Sequence, residues 1–269
     1  MKAMDFRGKW VMVTGASSGL GRSMAGILAR EHGANIVPIA RRKERLDELK
    51  RELEAEAKVA VHPIAADLSK VDQIDRALDE ARDGRTLYGA ILNAGVTHFG
   101  HHHELSWTDF EAMLSINVTS IVRMTTALVP YFEKSSPGGG VMLVSSMGGI
   151  TPLPYQAAYS GTKAFVIQFG CAVHHELHDK DVSLTIYAPG GIDTEMTASE
   201  KFHALRGWMM TADDAAREGV DAFRRRKYLH VPGMTNKLGA MLWRILPQRL
   251  MTSQVAASYR RALAHANKL

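Results

Sequence analysis

Apolar residues in this chain fall into short runs separated by charged stretches with helical spacing. Trp10–Thr14 is a short apolar run, and Gly19–His32 after it has its apolar residues three and four apart. The alternation continues. Asn35–Ala40 reads as a strand, Lys43–Lys58 as a strongly charged helix, Val59–Ala65 as a third strand and Val71–Arg82 as a helix. Leu87–Leu92 gives a fourth strand, Trp107–Glu133 a long helix, and Val141–Ser145 a fifth strand. Ala157–His178 is a second long helix, Val182–Ala188 a sixth strand, Ala212–Arg226 a helix and Tyr228–Val231 a short seventh strand. Strands alternating with helices predict an α/β protein whose parallel sheet is covered on both faces. Right-handed crossovers make this a single doubly wound sheet of about seven strands, in the order 3-2-1-4-5-6-7. Pro38 lies inside the second strand, which that order makes internal. Proline offers no ladder N–H, so an irregular or shortened strand is expected there.

Composition narrows the class. At 269 residues, 46% hydrophobic and 23% charged, the chain has the make-up of a soluble globular protein and not of a disordered one. One cysteine, Cys171, excludes an internal disulfide and reads as a small core residue in a reducing compartment. Residues Met1–Lys9 hold no long apolar run, and no run has the length of a bilayer span, so a cytoplasmic location is expected.

The net charge of +5 is unevenly spread. Between Ala222 and Leu269 there are ten Lys and Arg and no Asp or Glu, whereas residues 1–221 hold 23 basic against 28 acidic residues. A net-acidic body does not describe a nucleic-acid-binding face.

Thr14-Gly15-Ala16-Ser17-Ser18-Gly19-Leu20-Gly21 joins the first strand to the first helix. Glycines there let backbone approach a pyrophosphate, and the helix N-terminus offers free N–H groups to the anion. The second strand ends Ala40-Arg41-Arg42, with no carboxylate where an NAD site would place one for the ribose hydroxyls. Arg41, followed by Arg42, could pair with a 2′-phosphate, which favours NADP; a solvated helix start is the alternative. Tyr159 and Lys163 lie four residues apart on one helix face. An ammonium beside a phenol favours the phenolate, and a phenol tuned this way can exchange a proton with a carbonyl or alcohol oxygen.

The glycine spacing resembles the T-G-x-x-x-G-x-G of the short-chain dehydrogenase/reductase family, and the Y-x-x-x-K of residues 159–163 follows at the family's place in the chain. The resemblance covers roughly residues 8–195. It implies a Rossmann-type sheet and hydride transfer between a nicotinamide cofactor and a carbonyl carbon. It makes Tyr159 the general acid/base, Lys163 its partner and a ligand of the nicotinamide ribose, and Ser146, thirteen residues before Tyr159, the residue that holds the substrate carbonyl. Ser145 is the adjacent alternative, one residue off the spacing. Asn117 matches the family's helix asparagine, which holds a water in a proton relay to the lysine. Gly15, Ser17, Ser18, Gly19, Leu20 and Gly21 would cradle the pyrophosphate. Asp67 and Leu68 match the pair that touches the adenine, and Asn93, Ala94 and Gly95 the segment beside the adenosine ribose. Pro189, Gly190, Ile192 and Thr194 match the segment that binds the carboxamide.

The resemblance loosens after Thr194. Residues 195–210, with Met196, Phe202, Leu205, Trp208, Met209 and Met210, stand at the family's variable substrate lid. Their apolar, Met-rich character suggests a hydrophobic small-molecule carbonyl or alcohol as substrate. Residues 1–233 form the expected catalytic domain and 234–269 a basic helical extension. That extension could lie on an acidic membrane surface, form a subunit contact, cover the substrate entrance, or dock on its own domain. The family commonly forms homodimers and homotetramers through its two long helices. His98 and His101-His102-His103 read as a polar rim at the site mouth, and no metal site is expected. A sugar-nucleotide epimerase would show T-G-x-x-G-x-x-G and a longer substrate domain. A non-catalytic NADP-binding or membrane-associated scaffold would have had no reason to keep Ser146, Tyr159 and Lys163 together.

Overall fold

Nine strands alternate with helices along the described chain: β1 (Trp10–Thr14), α1 (Gly19–His32), β2 (Asn35–Ala40), α2 (Lys43–Ala57), β3 (Ile64–Ala65), α3 (Val71–Arg82) and β4 (Leu87–Leu92) come first. They are followed by α4 (Trp107–Leu114), α5 (Ser120–Ser135), β5 (Gly140–Val144), α6 (Met147–Ile150), α7 (Ala157–Glu176) and β6 (Ser183–Tyr187). The last third holds β7 (Ile192–Asp193), β8 (Met210–Thr211), α8 (Ala212–Arg224), β9 (Leu229–His230), α9 (Met234–Ile245) and α10 (Gln248–Ala266). This computed structural model describes residues 1–266, without the side chains of residues 203–205, 208, 244, 265 and 266. Lys268 and the side chains of Leu205, Trp208 and Arg244 therefore lie outside the described residues.

Seven of the strands form one parallel sheet in the order β3-β2-β1-β4-β5-β6-β9, the Rossmann-type order expected. Alternate residues of each strand feed opposite faces, as the two-residue period of a strand requires. Val11 and Val13 pack with α1, α2 and α8 through Met24, Leu28, Leu49, Val220 and Phe223. Met12 packs with α3, α5 and α7 through Ile74, Leu128, Phe132 and Val166. Both faces are dry, which is why the strands read as continuous apolar runs.

Pro38 changes the edge and not its own strand. β2 is regular from Asn35 to Ala40 and pairs with β1 throughout, with Pro38 opposite Val13. On its other side, Ile36 bonds to Ala60 and His62, and the ladder resumes only at Ile39–Ile64. The proline sits in that gap, where its missing N–H would have pointed. The third strand is accordingly two residues long instead of the seven expected.

The long helix expected over 107–133 is also broken. A π-turn, Ser115–Thr119, separates α4 from α5 and carries Asn117. The stretch Trp107–Ser135 is, against expectation, long and apolar enough to cross a membrane. Here Met113, Ile121, Met124, Leu128 and Phe132 bury its apolar side in the protein core.

β7 and β8 form a separate two-stranded parallel ribbon, Ile192 opposite Met210 and Asp193 opposite Thr211. It clips together the two ends of the expected lid, whose middle is two short 3₁₀ segments, Glu195–Thr197 and Glu200–Trp208. α10 runs across the second of these segments. α9 has two apolar faces: Trp243 is buried and Ala240 packs on the core, while Met234, Leu238, Met241 and Ile245 point outward.

Candidate active site

The β1–α1 turn is shaped by contact with the end of β4. Thr14 Oγ1 accepts from the backbone N–H of Asn93 and Ala94, at 2.9 and 3.0 Å, and Asn93 Nδ2 donates to the Thr14 carbonyl. A Cβ at Gly21 would stand 2.5 Å from Asn93 Nδ2, so only glycine lets α1 start this close to the next strand. Gly15 and Gly19 have φ of +70° and +52°, a left-handed conformation that glycine adopts without strain. Ser18 is the N-cap of α1, yet its side chain makes no capping bond. Its Oγ accepts instead from Arg42 Nη2 at 2.7 Å, and Ser17 Oγ accepts from the same group at 3.0 Å. The N–H groups of the first helical turn are thus left for an anion.

Arg42 also donates to Glu195 Oε2 at 2.9 Å, and Arg45 bonds the other oxygen. The two guanidiniums hold the Glu195 carboxyl down to about 2. Arg41, the residue favoured from sequence, lines the same cavity, but it is Arg42 that folds back over the serines. Glu195 went unnoticed in the sequence, because nothing local to it signals a partner 153 positions away.

At the other end, Ser146 caps α6, its Oγ accepting from Gly148 N–H at 3.0 Å, and its hydroxyl lies beside the Tyr159 phenol. Ser145 points the other way: its Oγ donates to the Lys163 carbonyl at 2.7 Å. Both serines line the cavity, but the Ser145 hydroxyl is spent on the backbone. Burial pushes the Tyr159 phenol above its ordinary value, and the Ser146 hydroxyl lowers it only in part. The downward pull expected from Lys163 does not govern it. Lys163 Nζ lies 5.9 Å from the centre of the Tyr159 ring and donates to the Val144 carbonyl at 3.0 Å. Burial lowers this amine to about 8. A phenol held protonated beside a serine hydroxyl is arranged to give a proton to an incoming oxygen.

Asn117 lies beside Gly95, as does Lys163 Nζ, and its side chain is held by three bonds. Its amide donates to the Val96 carbonyl at 2.9 Å and to Thr162 Oγ1 at 3.0 Å, and its Oδ1 accepts from Val96 N–H. The side chain braces the loop after β4 against α7 and makes no bond to Lys163. Asp67 is also occupied. Burial raises its carboxyl, but the Ser69 N–H and hydroxyl outweigh that, and the net shift is downward.

One cavity of about 990 Å³ joins these parts. Every residue assigned from sequence to the cofactor or to catalysis lines it except Gly21 and Asn117, and of the lid Met196, Phe202 and Met209 line it while Met210 does not. The lining also includes residues the sequence did not single out for the site: Gln156, Asn236, Ser258 and Tyr259. The uncapped helix start, the left-handed glycines and the serine–arginine cluster are residues that could hold the phosphates of a dinucleotide. Among the described residues, no group of three or more His, Cys, Asp or Glu side chains is set to hold a metal. His101 and His103 stack, and His101 packs on Tyr155, but none of the four histidines expected at the rim lines the cavity.

A doubly wound sheet with a glycine turn, Ser146, Tyr159 and Lys163 on one cavity defines a dehydrogenase-type site. The chain matches the short chain dehydrogenase model over residues 9–204 and belongs to that family of oxidoreductases. It is 28% identical over 259 residues to 17-beta-hydroxysteroid dehydrogenase type 3 of Rattus norvegicus, covering 94% of this chain and 81% of that protein. It is 35% identical over 216 residues to sulfoacetaldehyde reductase of Chromohalobacter salexigens, covering 79% and 81% of the two chains. Among solved structures it is similar to a short-chain dehydrogenase from Sphingobium yanoikuyae in complex with NADPH. That match has a TM-score of 0.79 and 28% identity, and covers 91% of this chain and 95% of that one.

Proposed function

We propose that the protein is an NADP(H)-dependent oxidoreductase that interconverts a ketone and a secondary alcohol on a bulky, apolar substrate. One observation carries this reading: a single cavity runs from the Ser17–Ser18–Arg42 cluster to Ser146 and Tyr159, beneath an apolar wall of Phe202, Met209 and Tyr259. The bound cofactor would supply the hydride. Gly15, Gly19 and Leu20 would line its pyrophosphate, Arg42 with Arg41 its 2′-phosphate, and Lys163 its nicotinamide ribose. In the reducing direction Ser146 Oγ holds the carbonyl oxygen, and the Tyr159 hydroxyl gives it a proton. The names of the hydroxysteroid relative and of the NADPH-bound neighbour support the substrate character and the cofactor. The test is oxidation of NADPH and NADH across a panel of ketones, aldehydes and acyl thioesters. Turnover of apolar ketones with a preference for NADPH is expected; no turnover of any carbonyl with either cofactor would overturn the reading.

A second reading concerns the extension. The outward face of α9 exposes Met234, Leu238, Met241 and Ile245, each by more than half, in a stretch that contains no acidic residue. This supports contact with an anionic membrane surface. Co-sedimentation with phosphatidylserine vesicles at low salt, lost in a Met241→Glu/Ile245→Glu variant, is the expected result. Binding to no vesicles would exclude it, and a change in oligomeric state in the variant would assign the face to a second copy instead. Exposed Phe165 on α7 supports a homo-oligomer through the long helices.

A further inference from the structure

The substrate side of the cavity is closed by the far end of the chain. Tyr259, on α10, lines the same cavity as Tyr159 and Ser146. Its ring meets Phe99 edge-on at 5.2 Å between centres, and Phe99 in turn packs on Phe202 at 4.8 Å. Ala262 and Leu263, one turn further along α10, complete this cluster. Three further bonds fix the wall around it. Arg260 Nε donates to Tyr155 Oη at 3.3 Å, Gly100 N–H donates to the Tyr155 carbonyl at 2.9 Å, and Lys201 Nζ donates to the Phe99 carbonyl at 3.1 Å. The loop after β4, the turn before α7, the lid and α10 therefore meet around one aromatic group.

Two members of that cluster carry a hydroxyl: that of Tyr155 accepts from Arg260, whereas Tyr259 is the one that lines the cavity. Burial raises this phenol to about 12, and the nearby Tyr159 phenol adds to the rise. It is thus a neutral donor at any physiological pH, close enough to the catalytic tyrosine for the two to interact. The phenylalanines beside it could fill the same space without a polar atom. A hydroxyl kept on a half-buried ring in a cavity gains most when it meets an acceptor, because an unmade bond there costs its desolvation.

We propose that Tyr259 is a specificity-determining residue: its hydroxyl donates to a second acceptor on the substrate, close to the carbonyl that Ser146 and Tyr159 engage, while its ring packs the apolar flank. The substrate class this fits is an apolar ketone bearing a neighbouring carbonyl oxygen, such as a 3-oxo ester or 3-oxo thioester. The inference rests on the ketone-reductase reading above and refines its substrate.

The test uses two ketones of matched length, ethyl 3-oxohexanoate and nonan-4-one, which differ by the ester group. Tyr259→Phe keeps the ring and removes the donor. The ratio of kcat/KM for the keto ester over nonan-4-one is expected to fall about tenfold in this variant relative to the unaltered enzyme, through KM more than kcat. Binding is read separately, with NADPH present, in Tyr159→Phe enzyme, which is not expected to turn over. There the keto ester should bind about tenfold more tightly than nonan-4-one, and adding Tyr259→Phe should erase the difference. An unchanged ratio, or a binding preference that survives the second substitution, would overturn the role of Tyr259. Absence of turnover by the unaltered enzyme, with the binding preference intact, would instead fault the reductase reading and leave Tyr259 as a ligand-selecting residue. Absence of any preference in the Tyr159→Phe enzyme would refute the inference itself.

Discussion

Tyr159→Phe is expected to lower kcat for ketone reduction by about three orders of magnitude, while NADPH binds as before. The ring is half-buried, and phenylalanine fills the same space, so the loss is chemical and not a loss of fold. What disappears is the proton that the phenol, held above its ordinary pKa by burial, would give to the developing alkoxide. Ser146 remains and can still polarise a carbonyl, but a serine hydroxyl cannot readily replace the transferred proton. The check pairs single-turnover kinetics with fluorescence titration of NADPH. A variant that turned over at near the original rate would show that the proton comes from elsewhere.

Arg42→Ala is expected to cut kcat/KM with NADPH by about ten- to a hundredfold and to leave NADH nearly untouched. A charge-assisted bond to a 2′-phosphate contributes about 1.5–3 kcal/mol, and NADH has no such group to lose. The same substitution frees Ser17, Ser18 and Glu195 from their guanidinium partner. Steady-state kinetics with both cofactors decides the point. An equal loss with NADH would mean that Arg42 orders the loop and does not read the phosphate. Arg41→Ala is the control, with the smaller effect, since its side chain is not bound to the two serines.

Much of this site can be read from the chain because its parts sit at strand ends, and the strand pattern is plain. The glycine turn, Asn93–Gly95 and the Tyr159–Lys163 pair each follow a strongly apolar run, so their positions in space follow from topology. Adjacent residues are harder to separate. Ser145 and Ser146 differ only in which way the backbone turns at the end of β5, and Arg41 and Arg42 in which side chain folds back over α1. Pro38 correctly warned of a broken ladder, but the break falls on the neighbour it cannot bond and not on its own strand. Asn117 can be placed on its helix from the chain, but the π-turn that carries it and its bonds to Val96 and Thr162 have no local sign. Glu195 and Tyr259 could not be found this way. Each earns its place by docking against a distant element, and no local pattern of apolar and polar positions records that.

The arrangement of the cavity also orders events as the chain folds. The residues proposed for the cofactor come from β1 to β6 and the segment just after it, whereas the wall proposed for the substrate waits for a helix that begins at Gln248. Contacts between residues so far apart in sequence form late, since their closure entropy must be met first. A nascent or clipped chain could therefore acquire its affinity for the nucleotide before it can distinguish one carbonyl compound from another, with discrimination the last property that folding adds.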